Sequence, residues 1–172
     1  MIQTRTFLIL AFFIHVLSPV AQAVNQTTEQ AALRPFVTDY CTGFPEGTRT
    51  HPELWKHCCV EHDLHFWAGG CRVARRQSDR RIYECIRDSG APGIARLMYL
   101  GIRLGSISPI KIKKKKWGNA WTDGRGDFRS LTAGDIDLIE REFRMHPSEE
   151  VPKETFERFL KTLRASPCDQ SD

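Results

Sequence analysis

The stretch WKHCCVEHDLHFW, Trp55 to Trp67, constrains this 172-residue chain more than any other. It places two adjacent cysteines, Cys58 and Cys59, just ahead of His62 and Asp63. On a helix Cys58 and His62 stand at i and i+4 and share a face. Cys59 and Asp63 form a second such pair, turned by about 100° from the first. Such a cluster suits either a metal site or a catalytic helix anchored by disulfides. Cys58, Cys59, His62 and His65 have the donor types of a zinc site.

The compartment bears on that choice. The chain opens on MIQTRT, continues through the apolar run Phe7–Val20 and closes on Ala21-Gln22-Ala23. A basic start, a short apolar core and a small-x-small end describe a secretory signal peptide over residues 1–23. His15, Ser18 and Pro19 interrupt the run, so a membrane span is the weaker reading. The expected location is secreted or periplasmic. All six cysteines follow residue 23: Cys41, Cys58, Cys59, Cys71, Cys85 and Cys168. An even count in an exported chain points to disulfides. Six cysteines allow 15 pairings, and the count fixes none of them. The net charge is +4. Export argues against a nucleic-acid partner for the lysine run Lys111, Lys113–Lys116.

The pattern is mainly α with long loops. Val24–Asp39 is expected to be partly helical, with Pro35 interrupting. Tyr40–His51, rich in Gly, Pro and Thr, reads as an ordered loop. Pro52 opens a helix that Gly69-Gly70 ends near Trp67. A second helix fits Arg75–Asp88. A third fits Ile94–Leu104, with Ile94, Leu97, Met98 and Ile102 on one face and Arg96 and Arg103 on another. Gly105–Phe128 looks irregular. Thr132-Ala133-Gly134-Asp135 begins a fourth helix. Pro152 opens a fifth, whose Phe156, Phe159, Leu160 and Leu163 form a core stripe.

Suppose Cys58 bonds Cys85 across two antiparallel helices. Facing positions then sum to 143, and His62 faces position 81. Asp79 lies two residues away, a rise of about 3 Å. A carboxylate there would fix the His62 tautomer and stabilise its imidazolium, as a general base requires. Asp63 points to a neighbouring face, where a carboxylate suits a hard cation.

CCVEHD resembles the catalytic helix of secreted phospholipase A2, in which two disulfide cysteines precede the catalytic His and a calcium-binding Asp. Asp79-Arg80, with Cys85 six residues after Asp79, resembles that family's second helix. Tyr40-Cys41 stands where the family has its calcium loop. The resemblance runs from Phe36 to Asp88. It implies two long antiparallel disulfide-linked helices, a calcium loop and hydrolysis of the phospholipid sn-2 ester. It casts His62 as base, Asp79 as its orienting partner, and Asp63 with the Tyr40, Thr42 and Phe44 carbonyls as Ca2+ ligands. It implies the pairs Cys58–Cys85 and Cys41–Cys59, leaving Cys71 with Cys168. The chain departs from the family in three places. The loop Thr42-Gly43-Phe44-Pro45-Glu46-Gly47 is less glycine-rich, leaving Gly43 and Glu46 as alternative contributors. His65 and Ser78 stand where the family has another interhelical disulfide. Phe66 replaces a tyrosine that hydrogen-bonds the dyad carboxylate.

Residues 24–128 are read as the phospholipase A2-like domain and 129–172 as a helical extension packed on it. Lys113, Lys114, Lys115 and Lys116, beside Trp117, are expected to meet an anionic phospholipid membrane. The contrasting reading is a non-enzymatic membrane- or partner-binding module on the same scaffold.

Overall fold

A computed structural model of the chain describes residues 33–107, 116–123, 128–166 and 168. These residues fall within one compact unit, Ala31–Asp172. The expected signal segment and Lys111 and Lys113–Lys115 lie outside them. Among the described residues the structure is mainly α: α1 Lys56–Ala68, α2 Arg72–Asp88, α3 Pro92–Ile107, α4 Ala133–Met145 and α5 Lys153–Arg164. An isolated bridge joins Leu33 to Trp121. None of these helices is long and apolar enough to cross a membrane.

α1 is the central element because it buries side chains on two sides. Val60, Leu64, Trp67 and Ala68 enter one core with Ile136, Ile139 and Phe143 of α4 and Phe156, Phe159, Leu160 and Leu163 of α5. Cys58 and Cys59 enter a second core with Ile82 and Ile86 of α2 and Ala95 and Met98 of α3. A helix apolar on more than one side belongs inside a domain. The C-terminal helices therefore share the core of the helix that carries His62.

The six cysteines form three disulfides: Cys41–Cys59, Cys58–Cys85 and Cys71–Cys168. Cys59 pins the Tyr40–His51 loop to α1, and Cys58 pins α2. The bonds point to an oxidising, extracellular-type environment.

α1 begins at Lys56 rather than Pro52. The Trp55 N–H bonds the Glu46 carbonyl at 2.9 Å and its indole N–H bonds that of Pro45 at 2.7 Å. Those bonds hold Pro52–Trp55 as turns against the loop. Over 33–39 the chain forms no helix. Arg34 N–H instead donates to the Ala120 carbonyl, and the Arg34 carbonyl accepts from the Trp67 indole. On α3, Leu97 is exposed and does not share the buried face, which Ala95 and Met98 form. α4 starts as its sequence suggests, with Thr132 and Asp135 in a reciprocal capping box.

Trp117 is 5 % exposed and does not face a membrane. The reason lies at the α1 C-terminus, whose last carbonyls lack helical partners. The Trp117 indole donates to Gly70 at 2.6 Å and that of Trp121 to Ala68 at 2.8 Å. The N–H groups of Gly118 and Ala120 take the Phe66 and Trp67 carbonyls. This cover requires Gly69, at φ 84, because a Cβ there would lie 2.8 Å from the Gly118 Cα.

Cys71–Cys168 spans 97 residues of sequence. Replacing both by Ser should cost about 4 kcal/mol of stability in urea unfolding, from the lost constraint on the unfolded chain. A loss under about 1 kcal/mol would show that apolar packing alone fastens the C-terminus.

Candidate active site

The site grows from the α1–α2 pairing. Contacts run in opposite senses along the two helices: Cys58 meets Cys85, and His62 meets Asp79. His62 Nε2 lies 3.2 Å from Asp79 Oδ1. The Asp79 side chain is fully buried and that of His62 nearly so.

A buried carboxylate must be matched by charge and hydrogen bonds. Asp79 has two further cationic partners. Arg75 Nε donates to Oδ1 from one turn earlier on α2, at 3.1 Å. Arg103 Nη1 donates to Oδ2 from α3, at 3.1 Å. The Arg75 guanidinium lies 4.0 Å from the centroid of the Phe66 ring. Phe66 has no hydroxyl to offer Asp79, and the arginine stacked on it supplies a hydrogen bond instead. Sequence reasoning missed both arginines. Arg75 was legible as an i, i+4 partner of Asp79. Arg103 had no such signal, since its contact depends on how α3 packs.

Burial lowers the His62 pKa, with the Asp79 contacts opposing and Arg75 and Arg81 adding to the fall. Burial pushes the Asp79 carboxyl up, but hydrogen bonds and charges from His62 and Arg75 outweigh it and hold the group below its usual value. Asp79 is therefore an ionised acceptor. His62 Nε2 must carry its proton toward it, which leaves Nδ1 as the basic nitrogen.

Asp63 sits one position beyond His62 and belongs to a different contact. Thr38 Oγ1 donates to its Oδ2 at 2.6 Å. Tyr40 follows in a left-handed turn at φ 56, with Gly43 at φ 76. Phe44 N–H closes the turn on the Cys41 carbonyl at 3.1 Å. Backbone bonds thus use the Cys41 and Glu46 carbonyls. Those of Tyr40 and Thr42 flank the Cys41 carbonyl, and that of Phe44 precedes the Pro45 carbonyl taken by the Trp55 indole. The Tyr40 side chain turns away, its hydroxyl donating to Glu150 Oε1 at 2.8 Å. The Asp63 carboxylate on α1 and carbonyl oxygens on the loop that Cys41–Cys59 fastens to that helix are donor types suited to a hard cation such as Ca2+.

His65 and Ser78 are both buried. With His62, Arg81, Glu61 and Glu84 they line a cavity of about 180 Å³ between the helices. Arg81 Nη2 donates to His65 Nε2 at 3.2 Å, and the His65 ring packs edge-on against Phe159. Burial, then the Arg81 charge, holds the His65 pKa well below its usual value. A zinc site of Cys58, Cys59, His62 and His65 is overturned, since disulfide sulfurs are not thiolates. The same holds for His57, whose Nε2 lies 3.5 and 3.4 Å from Cys58 and Cys85 Sγ.

The chain matches no known family model, no curated protein and no solved structure.

These shifts share a sign. The folded state keeps His62 and His65 unprotonated where the unfolded chain binds protons, so stability rises with pH. Asp79, also lowered, adds the same sign at more acid pH. Thermal unfolding should show full stability above about pH 6.5, the unfolded His value, and a falling Tm below it. A Tm unchanged from pH 7 to 5 would mean that both imidazoles accept protons without cost in the fold.

Proposed function

We propose that the chain is an exported, calcium-dependent phospholipase A2-like hydrolase that cleaves the sn-2 acyl ester of phospholipids. The observation that carries this reading is the His62–Asp79 pair at 3.2 Å beside Asp63 on a disulfide-anchored helix. The order of motifs along the sequence supports it.

His62 takes a proton from a water molecule at Nδ1, that water attacks the ester carbonyl, and the imidazolium returns the proton to the glycerol oxygen as its bond to the acyl carbon breaks. Asp79 holds the Nε2–H and stabilises the imidazolium that forms. Arg75 and Arg103 fix Asp79 by one hydrogen bond on each oxygen. Asp63 and the carbonyls of Tyr40, Thr42 and Phe44 would hold Ca2+. When bound there, the ion supplies Lewis-acid polarisation of the carbonyl and a counter-charge for the oxyanion.

The governing experiment is fatty-acid release from mixed phospholipid vesicles, with and without a calcium chelator. His62→Gln should lower release by at least about 1,000-fold while the helical content stays intact. Activity within a few-fold of the parent would remove His62 from the role of base. Asp63→Lys places an ammonium at the cation site and should abolish calcium binding by calorimetry; an unchanged isotherm would put the ion elsewhere. The lowered His62 pKa also sets the pH profile. The acid limb of kcat/KM should fall below pH 6.5, since the base is active only when unprotonated. An acid limb above pH 7 would contradict the buried, neutral His62.

A further inference from the structure

One wall of the cavity between α1 and α2 carries a cation that no carboxylate answers. Arg81 is half-buried there. The two acids on the same lining are engaged elsewhere, Glu61 with Arg158 at 2.9 Å and Glu84 with Arg80 at 2.8 Å. Among the described residues the hydrogen-bond partner of Arg81 is His65, which accepts from Nη2, and an imidazole brings no negative charge. Arg75, by contrast, lies against Asp79. A guanidinium drawn out of water without an opposite charge is costly.

Two hydrogen-bond donors in the same lining are also unanswered. Ser78 is 1 % exposed, and its Oγ has no partner among the described residues. Neither has the buried Nε of Arg81. A buried donor left in that state carries its full desolvation penalty. Ser78 and Arg81 stand at i and i+3 on α2, so their side chains are neighbours on one face. One positive charge and two donors thus come from a single turn of helix.

These features select the ligand. Two adjacent donors beside one cation match the two oxygens of a carboxylate. A water molecule takes the hydrogen bonds but leaves the charge unanswered. A phosphate or sulfate dianion brings a second negative charge toward Glu61 and Glu84. Ile82 and the Cys58–Cys85 disulfide add apolar surface to the lining, and the volume of about 180 Å³ suits a ligand of a few carbons. We propose that this cavity binds a short-chain carboxylate, its oxygens on Arg81 Nε and Ser78 Oγ and its carbons against Ile82 and the disulfide. The proposal does not rest on the hydrolase reading, since neither Arg81 nor Ser78 takes part in that chemistry.

The test is an NMR titration of the full-length protein with sodium butyrate at constant pH and ionic strength. The Arg81 Nε–H resonance, assigned by triple-resonance experiments, should shift and saturate. By calorimetry Ser78→Ala should weaken binding on the order of 10-fold. Arg81→Met should weaken it by at least about 30-fold. Formate should bind more weakly than butyrate, because it lacks the alkyl tail. Ser78→Ala also separates binding from folding. It removes an unanswered donor, so its unfolding temperature without butyrate should equal or exceed that of the parent. The parent titration and Ser78→Ala decide the matter even where Arg81→Met fails to fold. An Nε–H resonance that ignores butyrate would overturn the proposal, as would parent-like affinity in either variant. So would chloride binding as tightly as butyrate, the mark of a site for any counter-ion, or sulfate binding more tightly.

Discussion

A fully buried carboxylate is the constraint on which the arrangement of the first three helices turns. Asp79 loses all contact with solvent and keeps its charge. Such a group is tolerable only when its oxygens meet cations or strong donors. The partners come from three helices: His62 from α1, Arg75 from α2 itself, and Arg103 from α3. Removing one partner leaves charge without compensation, which is more costly than the net worth of the contact. The same network that closes the α1–α2–α3 assembly also orients the imidazole, so structural and chemical demands fall on one residue.

The adjacent cysteines solve a second problem of placement. Residues next to each other on a helix point in different directions, so bonds from Cys58 and Cys59 leave α1 on different sides. One reaches α2 and fixes the height of Asp79 against His62. The other reaches the Tyr40–His51 loop at Cys41 and fastens it to α1 one turn before Asp63. The two potential functions of the motif, proton transfer at His62 and cation binding at Asp63, are thus each served by a covalent anchor four residues earlier. Apolar packing then fixes α1 itself, with Val60, Leu64 and Trp67 held by α4 and α5.

Much of this was legible because it is local or periodic. The i, i+4 spacing of Cys58 with His62 follows from helix geometry, and so does the register sum that puts Asp79 near it once a Cys58–Cys85 bond is supposed. The helix start at Thr132 and the α5 stripe are likewise local or periodic. What was not legible depends on tertiary packing. Trp117 beside a lysine run reads as a membrane anchor, yet its indole N–H is needed at the end of α1. Leu97 fits an apolar face by spacing, but packing through Ala95 and Met98 turns that leucine to solvent. Arg103 looks like a solvated charge until α3 sets it against Asp79. In each case the local pattern was real, and a distant partner decided its use.

The absence of a cysteine pair at His65 and Ser78 shows how the α1–α2 pairing is held without a second crosslink. Cys58–Cys85 fixes one end. Further along, the helices meet through His65 and Arg81, across a cavity rather than a second covalent bond. A seam that leaves a cavity of about 180 Å³ between its helices packs less tightly than a filled one. The missing rigidity is supplied from outside the pair. Phe159 of α5 braces the His65 ring, and Trp117 covers the α1 terminus. Arg103 ties α3 across the seam to Asp79. Residues beyond Asp88 are therefore not an appendage to the His62 helix: they occupy the places where the paired helices would otherwise be free to part.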